Sequence, residues 1–231
     1  MKRFYRAARA TPHARGHGVA LDGKPLRTPA KAELVVPSRR LAEAIAREWH
    51  EQGDAIAVAA MPLTRLASTA IDLVAPQRDA VIAETANYAG TDLVCYRAAH
   101  PPELVRRQHE TWQPLIDWAR ARYDAPLMVT AGVTPVVQPP DSLAALTAAV
   151  AAHDAMMLAA LRLATAASGS LVIALALLER RLDADDALAV AELDESFQIE
   201  HWGEDSEQTK RRAGLRDDLA LAERFAALLQ T

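Results

Sequence analysis

The chain has 231 residues, 51% of hydrophobic types but only 5% aromatic, with 26 Lys and Arg against 30 Asp and Glu. This length and apolar content suit one or two packed domains, and a net charge of −4 lacks the positive excess of a nucleic-acid binder. A single cysteine, Cys95, excludes an intrachain disulfide framework and any multi-cysteine zinc site, and its apolar neighbours predict a buried structural thiol.

The basic start, Met1 to Arg6, is followed by no apolar signal-peptide core. Residues 1–37 do not read as helix. Val19-Ala20-Leu21 runs into Asp22-Gly23, a tight-turn signal, then into an extended Lys24–Pro29 and a second stretch, Glu33–Val36. A small meander or hairpin follows from this pattern, with the prolines at strand ends or on an edge. Ser38 is placed to cap a helix carrying Leu41, Ile45 and Trp49, with Gly53 as its stop and Ile56–Val58 as one more strand. Pro62 suits a first helical turn, and Leu66, Ala70 and Leu73 (or Ile71) line the helix after it.

Pro76 opens another helix, with Val81, Thr85 and Tyr88 along one face, and Thr91-Asp92 forms a cap or turn. Pro101-Pro102 starts a longer helix through Trp112 and Ala119, which Pro114 kinks or restarts. The β-branched stretches Met128–Val133 and Val136–Gln138 predict extended connectors or a small hairpin. From Ser142 the pattern is helical, with breaks near His153, Ser168–Ser170, Leu182-Asp183, Gly203 and Gly214. Leu163 to Leu178 carries no charge but spans only 16 residues, short of the roughly 20 a membrane helix needs, so a buried helix or helix pair is expected. The fold class is α+β: a small α+β domain over residues 1–62, then a larger all-helical bundle over 63–231.

Catalytic signatures are sparse. There is no GxxxxGK[ST] run, and Ser168-Gly169-Ser170 does not match a nucleophile elbow. None of the seven histidines forms HExxH, so the enzymatic alternative is a hydrolase whose His–carboxylate site, using His109 or His201, assembles in space. The richest segment is Glu192 to Glu207, with seven acidic residues and no Lys or Arg. On a helix, Glu195, Ile199 and Trp202 share one face, beside a stripe of Leu193, Phe197 and His201. One stripe buries while the other offers carboxylates next to apolar surface, which suits capture of a basic, partly apolar protein.

Several long stretches carry a resemblance. They are Leu21-Asp22-Gly23-Lys24-Pro25-Leu26-Arg27-Thr28-Pro29, Met61-Pro62-Leu63-Thr64-Arg65-Leu66 with Thr69-Ala70-Ile71-Asp72, Tyr88-Ala89-Gly90-Thr91-Asp92-Leu93-Val94-Cys95-Tyr96-Arg97, Ser168-Gly169-Ser170-Leu171-Val172, and Asp194 to Gly203. The chain resembles the assembly chaperones specific for the alpha subunit of the F-type ATP synthase catalytic head. That resemblance covers nearly the whole sequence. It implies a non-enzymatic protein, without cofactor or metal, that binds the unassembled alpha subunit and shields the surface that later meets the beta subunit. By the same resemblance, Asp194, Glu195, Phe197, Gln198, Glu200 and Trp202 bind the client, with Glu195 foremost. Arg27, Arg65 and Asp72 lie in family motifs as structural or binding residues. A bacterial, cytoplasmic form is expected, whereas eukaryotic relatives work in the mitochondrial matrix.

Overall fold

The structure is a computed structural model that describes residues 1–132, 134–203 and 205–230. The chain divides into two compact units: Met1–Arg78 with Asp154–Ala160 and the stretch from Arg224, and Asp79–His153 with Leu161–Glu223.

The first unit begins with an antiparallel sheet of β1 (Ala8–His13), β2 (Gly16–Leu21), β3 (Lys24–Pro25) and β4 (Val35–Val36), in which β2 pairs with each of the others. Ala8 faces Leu21 and His13 faces Gly16 across the first pair. Asp22 and Gly23 both take positive φ, 47° and 84°, the backbone twist a two-residue hairpin turn requires. At Gly16 a Cβ would lie 2.5 Å from the Val36 carbonyl oxygen, so β4 can approach β2 only because that side chain is absent.

Helix α1 (Arg39–His50) packs on β1 and β2. The Ser38 hydroxyl caps it, accepting from the Leu41 N–H at 3.4 Å, and Leu41, Ile45 and Trp49 are buried as the spacing predicts. Its end differs from expectation. The helix stops at His50, and Glu51, in ordinary right-handed backbone, returns its N–H to the Arg47 and Trp49 carbonyls, so no glycine is needed and Gly53 lies beyond the cap. Ile56–Val58 is not a strand either. Ala55 forms one isolated bridge to Lys2, and a 3-10 turn over Val58–Ala60 comes next.

Pro62 opens α2 (Pro62–Thr69) at its first position. Glu48 of α1 supplies the missing cap, its carboxylate accepting from the Leu63 and Thr64 N–H groups at 2.8 Å. Helix α2 then widens into a π turn, Ala70–Val74, closed by Ala75 N–H to the Ala70 carbonyl. The widening rotates the helix phase, so Val74 is fully buried and Leu73, expected inside, is 37% exposed.

The second unit takes in α3 (Arg78–Asn87) from its second residue, β5 (Tyr96–Arg97), α4 (Pro102–Tyr123), β6 (Thr130–Ala131) and α5 (Pro140–Ala151). The later part of α6 (Ala155–Ser168) belongs to it too, with α7 (Leu171–Leu178), α8 (Ala184–Ala191), α9 (Leu193–Trp202) and most of α10 (Ser206–Leu229). Every residue of α7 is buried, which explains the uncharged run, and no helix among the described residues is long and apolar enough to cross a membrane. Trp112 is fully buried on α4 and donates its indole N–H to the Val190 carbonyl at 3.0 Å. Asp92 is also fully buried. It accepts from the Ser170 hydroxyl at 2.5 Å and the Val172 N–H at 3.1 Å, fastening the start of α7 to the 3-10 turn Leu93–Cys95. Burial raises its pKa to about 6, and the same burial, with Asp92 adjacent, pushes the Cys95 thiol up to about 12.

Local caps hold here too. Asp183 accepts from Asp186 N–H to start α8, and Gly203 (φ 85°) ends α9. Elsewhere one of two alternatives drops out. Helix α4 runs through Pro114 as one element rather than restarting there, and the break expected near Gly214 is absent, since α10 runs through it. The described residues of 128–138 are connectors rather than a hairpin, the other reading of that stretch, and β6 within them pairs in parallel with β5, Tyr96 facing Thr130. Val133, in the first of those stretches, and Glu204, in the acidic segment, lie outside the described residues.

Candidate functional site

Helix α9 carries most of the residues singled out in the sequence. Leu193 and Phe197, one turn apart, are buried and seat it in the second unit. The Phe197 ring lies 4.3 Å from that of His201 and 5.3 Å beneath the Arg107 guanidinium of α4. Phe197 is therefore an anchor facing inward.

Most of the acidic residues are already engaged within the fold. Glu192, buried, takes a bidentate bond from Arg211 of α10 at 2.7 and 3.1 Å, which raises the guanidinium pKa. Asp194 accepts from Gln108 of α4 at 2.6 Å, and burial raises its pKa against the lowering effect of that bond. Glu195 accepts from Gln208 of α10 at 2.8 Å and lies 4.0 Å from Arg211. Glu200 takes two bonds from Arg107, at 2.7 and 2.9 Å, and Arg107 also holds Glu103. Asp205 accepts from the Glu207 and Gln208 N–H groups and caps α10. Gln198 is exposed.

Trp202 differs from all of these. It closes α9 and is 78% exposed. The face drawn through Glu195, Ile199 and Trp202 thus emerges along the helix: the first two are half-buried and the last stands in water. The arrangement is a braced acidic helix that ends in one large apolar side chain, a shape suited to contact with a protein surface.

Asp72 sits in the π turn of the first unit, where its carboxylate accepts from the Thr28 hydroxyl at 2.6 Å and the Ala30 N–H at 3.0 Å. Arg27 bonds the Lys31 carbonyl at 2.8 Å and pairs with Glu33 at 3.7 Å. Arg27 and Asp72 therefore converge on the loop 28–31, while Arg65 is exposed on α2. Sequence reasoning missed Arg107, Gln108 and Arg211, which brace α9, and the exposed Met128, Val129 and Val137. A run of apolar residues between prolines was the available signal for the last group.

Among the described residues neither candidate histidine is bonded to a carboxylate. His109 faces Arg97 at 3.3 Å, and the Nδ1 of His201 lies 2.7 Å from the Phe197 carbonyl. Among the described residues no group of three or more His, Cys, Asp or Glu could hold a metal ion.

Comparison with known proteins defines the class: the family model described as ATP12 chaperone protein matches residues 2–120. The chain belongs to the ATP12 chaperone family. It is similar to the crystal structure of Atp12 from Paracoccus denitrificans, with 45% identity, a TM-score of 0.97, and coverage of 99% of this chain and 98% of that one. An Asp-to-Lys variant of that Atp12p matches at 44% identity with the same TM-score and coverage. Atu1473, a candidate chaperone from Agrobacterium tumefaciens, matches at 39% identity and a TM-score of 0.94, over 99% of this chain and 86% of its own.

Proposed function

We propose that this chain is a stoichiometric chaperone for the unassembled alpha subunit of the F-type ATP synthase, acting without turnover or cofactor. Membership of the ATP12 family supports a role in assembly of that enzyme, and the alpha subunit is the client that the sequence motifs imply. The observation that carries the site is Trp202, a large apolar side chain 78% exposed at the end of an acidic helix braced from both neighbouring helices. In this reading Trp202 inserts into client surface, Gln198 and the outer edges of Glu195 and Glu200 orient client Arg or Lys, and Asp194 and Phe197 hold the helix in place. The beta subunit displaces the chaperone by competing for the same client surface. The bacterial relatives support a cytoplasmic site of action.

Co-purification of the tagged chain from cells tests this, with Trp202→Ala and Glu195→Lys beside the wild type. The wild type should recover free alpha subunit, and Trp202→Ala should lose it while keeping its helical circular dichroism. Recovery by every variant moves the contact away from α9. Absence of the alpha subunit from the wild-type sample overturns the client assignment.

A further inference from the structure

The first unit contains a groove of about 470 Å³ that lies apart from α9 in sequence and in composition. Tyr5 and Trp49, both nearly buried, form its floor with Leu21 and Leu26; the two rings lie 5.7 Å apart, and the Tyr5 hydroxyl donates to the Trp49 carbonyl at 2.7 Å. Phe4 stands edge-on to Tyr5 at 5.3 Å and is 67% exposed, and Met1 beside it is 76% exposed. Two large apolar side chains standing in water above a concave aromatic floor make a surface that a partner side chain would cover.

Charge narrows the partner. Residues 1–31 carry eight Lys and Arg and a single acid, Asp22. That acid is committed, its carboxylate accepting from the Arg6 and Ala7 N–H groups at 2.9 Å. The Arg3 guanidinium donates to the carbonyl oxygens of Tyr5, Gln52 and Arg6 and lies 4.8 Å over the Tyr5 ring, so none of the groups it touches is a carboxylate. Lys24 and Arg27 stand on the groove's rim, and the contact of Arg27 with Glu33 is long, at 3.7 Å. The rim is positive and the floor apolar.

Backbone geometry settles the mode. The strand at the rim, β3, has two residues, and one is Pro25, which has no N–H to offer an added strand. A ligand is held here by side-chain insertion and charge. Concavity also distinguishes the groove from a bilayer-binding surface, which projects its apolar side chains into the lipid.

We propose that this groove docks a short acidic segment of a partner protein, with one aromatic or large aliphatic side chain entering against Tyr5 and Trp49 and its carboxylates facing Lys24 and Arg27. The proposal stands independently of the client assignment above.

Fluorescence anisotropy of the full chain tests it, using a labelled Glu/Asp-rich dodecapeptide with one central Phe. Two control peptides carry Ala for the Phe, or Lys for every acid. The Phe peptide should bind, the Ala peptide more weakly, and the Lys peptide not at all. Lys24→Glu and Phe4→Ala, both exposed positions, should each weaken binding by roughly tenfold with melting unchanged. Equal binding of the acidic and Lys peptides, no binding of the Phe peptide, or indifference to both substitutions overturns the proposal. Co-sedimentation with phosphatidylglycerol vesicles without peptide binding also overturns it, and makes the face a membrane contact.

Discussion

The acidic helix α9 and the basic residues 1–31 look like mirror images in the sequence, yet the fold treats their charges in opposite ways. Glu192, Asp194, Glu195 and Glu200 each receive a hydrogen bond from a side chain of α4 or α10. Around the N-terminal groove the Asp22 carboxylate is spent on backbone N–H groups, Arg3 meets carbonyl oxygens and the Tyr5 ring, and Arg27 reaches Glu33 only at 3.7 Å. A run of like charge therefore says little about free charge. A run answered by opposite charge from elsewhere in the chain becomes a brace, and a run left unanswered remains available to a partner.

Among the braces of α9 the largest effect is expected at Glu192. Glu192→Ala leaves Arg211 and Arg212 without their nearest carboxylate on a bond buried at the Glu192 end and half-exposed at Arg211, and should destabilise the fold by about 1 kcal/mol in chemical denaturation. A loss below about 0.5 kcal/mol would make that pair another surface contact.

Asp92 is the limiting case of an internal acid and sharpens the contrast through pH. Its folded pKa, about 6, lies above the ordinary value of 3.8. The folded state therefore binds the proton more tightly, and this group favours folding increasingly as pH falls from about 6 towards 4. Wild type should gain on Asp92→Asn over that interval by on the order of 2 kcal/mol, with a constant difference above pH 7. A pH-independent difference would mean that the carboxylate ionises normally. The smallest effect belongs to Glu200→Gln, which breaks an exposed pair with Arg107. It should lower the melting temperature slightly at low salt and not at all in 1 M salt.

Legibility in the sequence tracks the reach of each interaction. Ser38, Pro62, Asp183 and Gly203 sit within a few residues of the backbone groups they serve, so their roles were legible. The burial of Leu193 and Phe197 comes from helical spacing alone. The pairing of Tyr96 with Thr130 joins distant strands in parallel, and local alternation read the second of them as connector or hairpin. The braces of α9 reach further still, 86 residues from Gln108 to Asp194 and 93 from Arg107 to Glu200. Nothing near Glu200 announces Arg107, so the partners these carboxylates have within the chain were not legible in the sequence.

The π turn at Ala70–Val74 adds about one residue to an otherwise ordinary helix. Deleting a single residue there would restore regular winding and swing the downstream chain by about 100°. Asp72 would leave Thr28 and Ala30, and the loop 28–31 would lose its tether to α2. Spacing between the Arg27 and Asp72 motifs is thus mechanically coupled, and length variation between positions 66 and 75 should be tolerated far less than substitution.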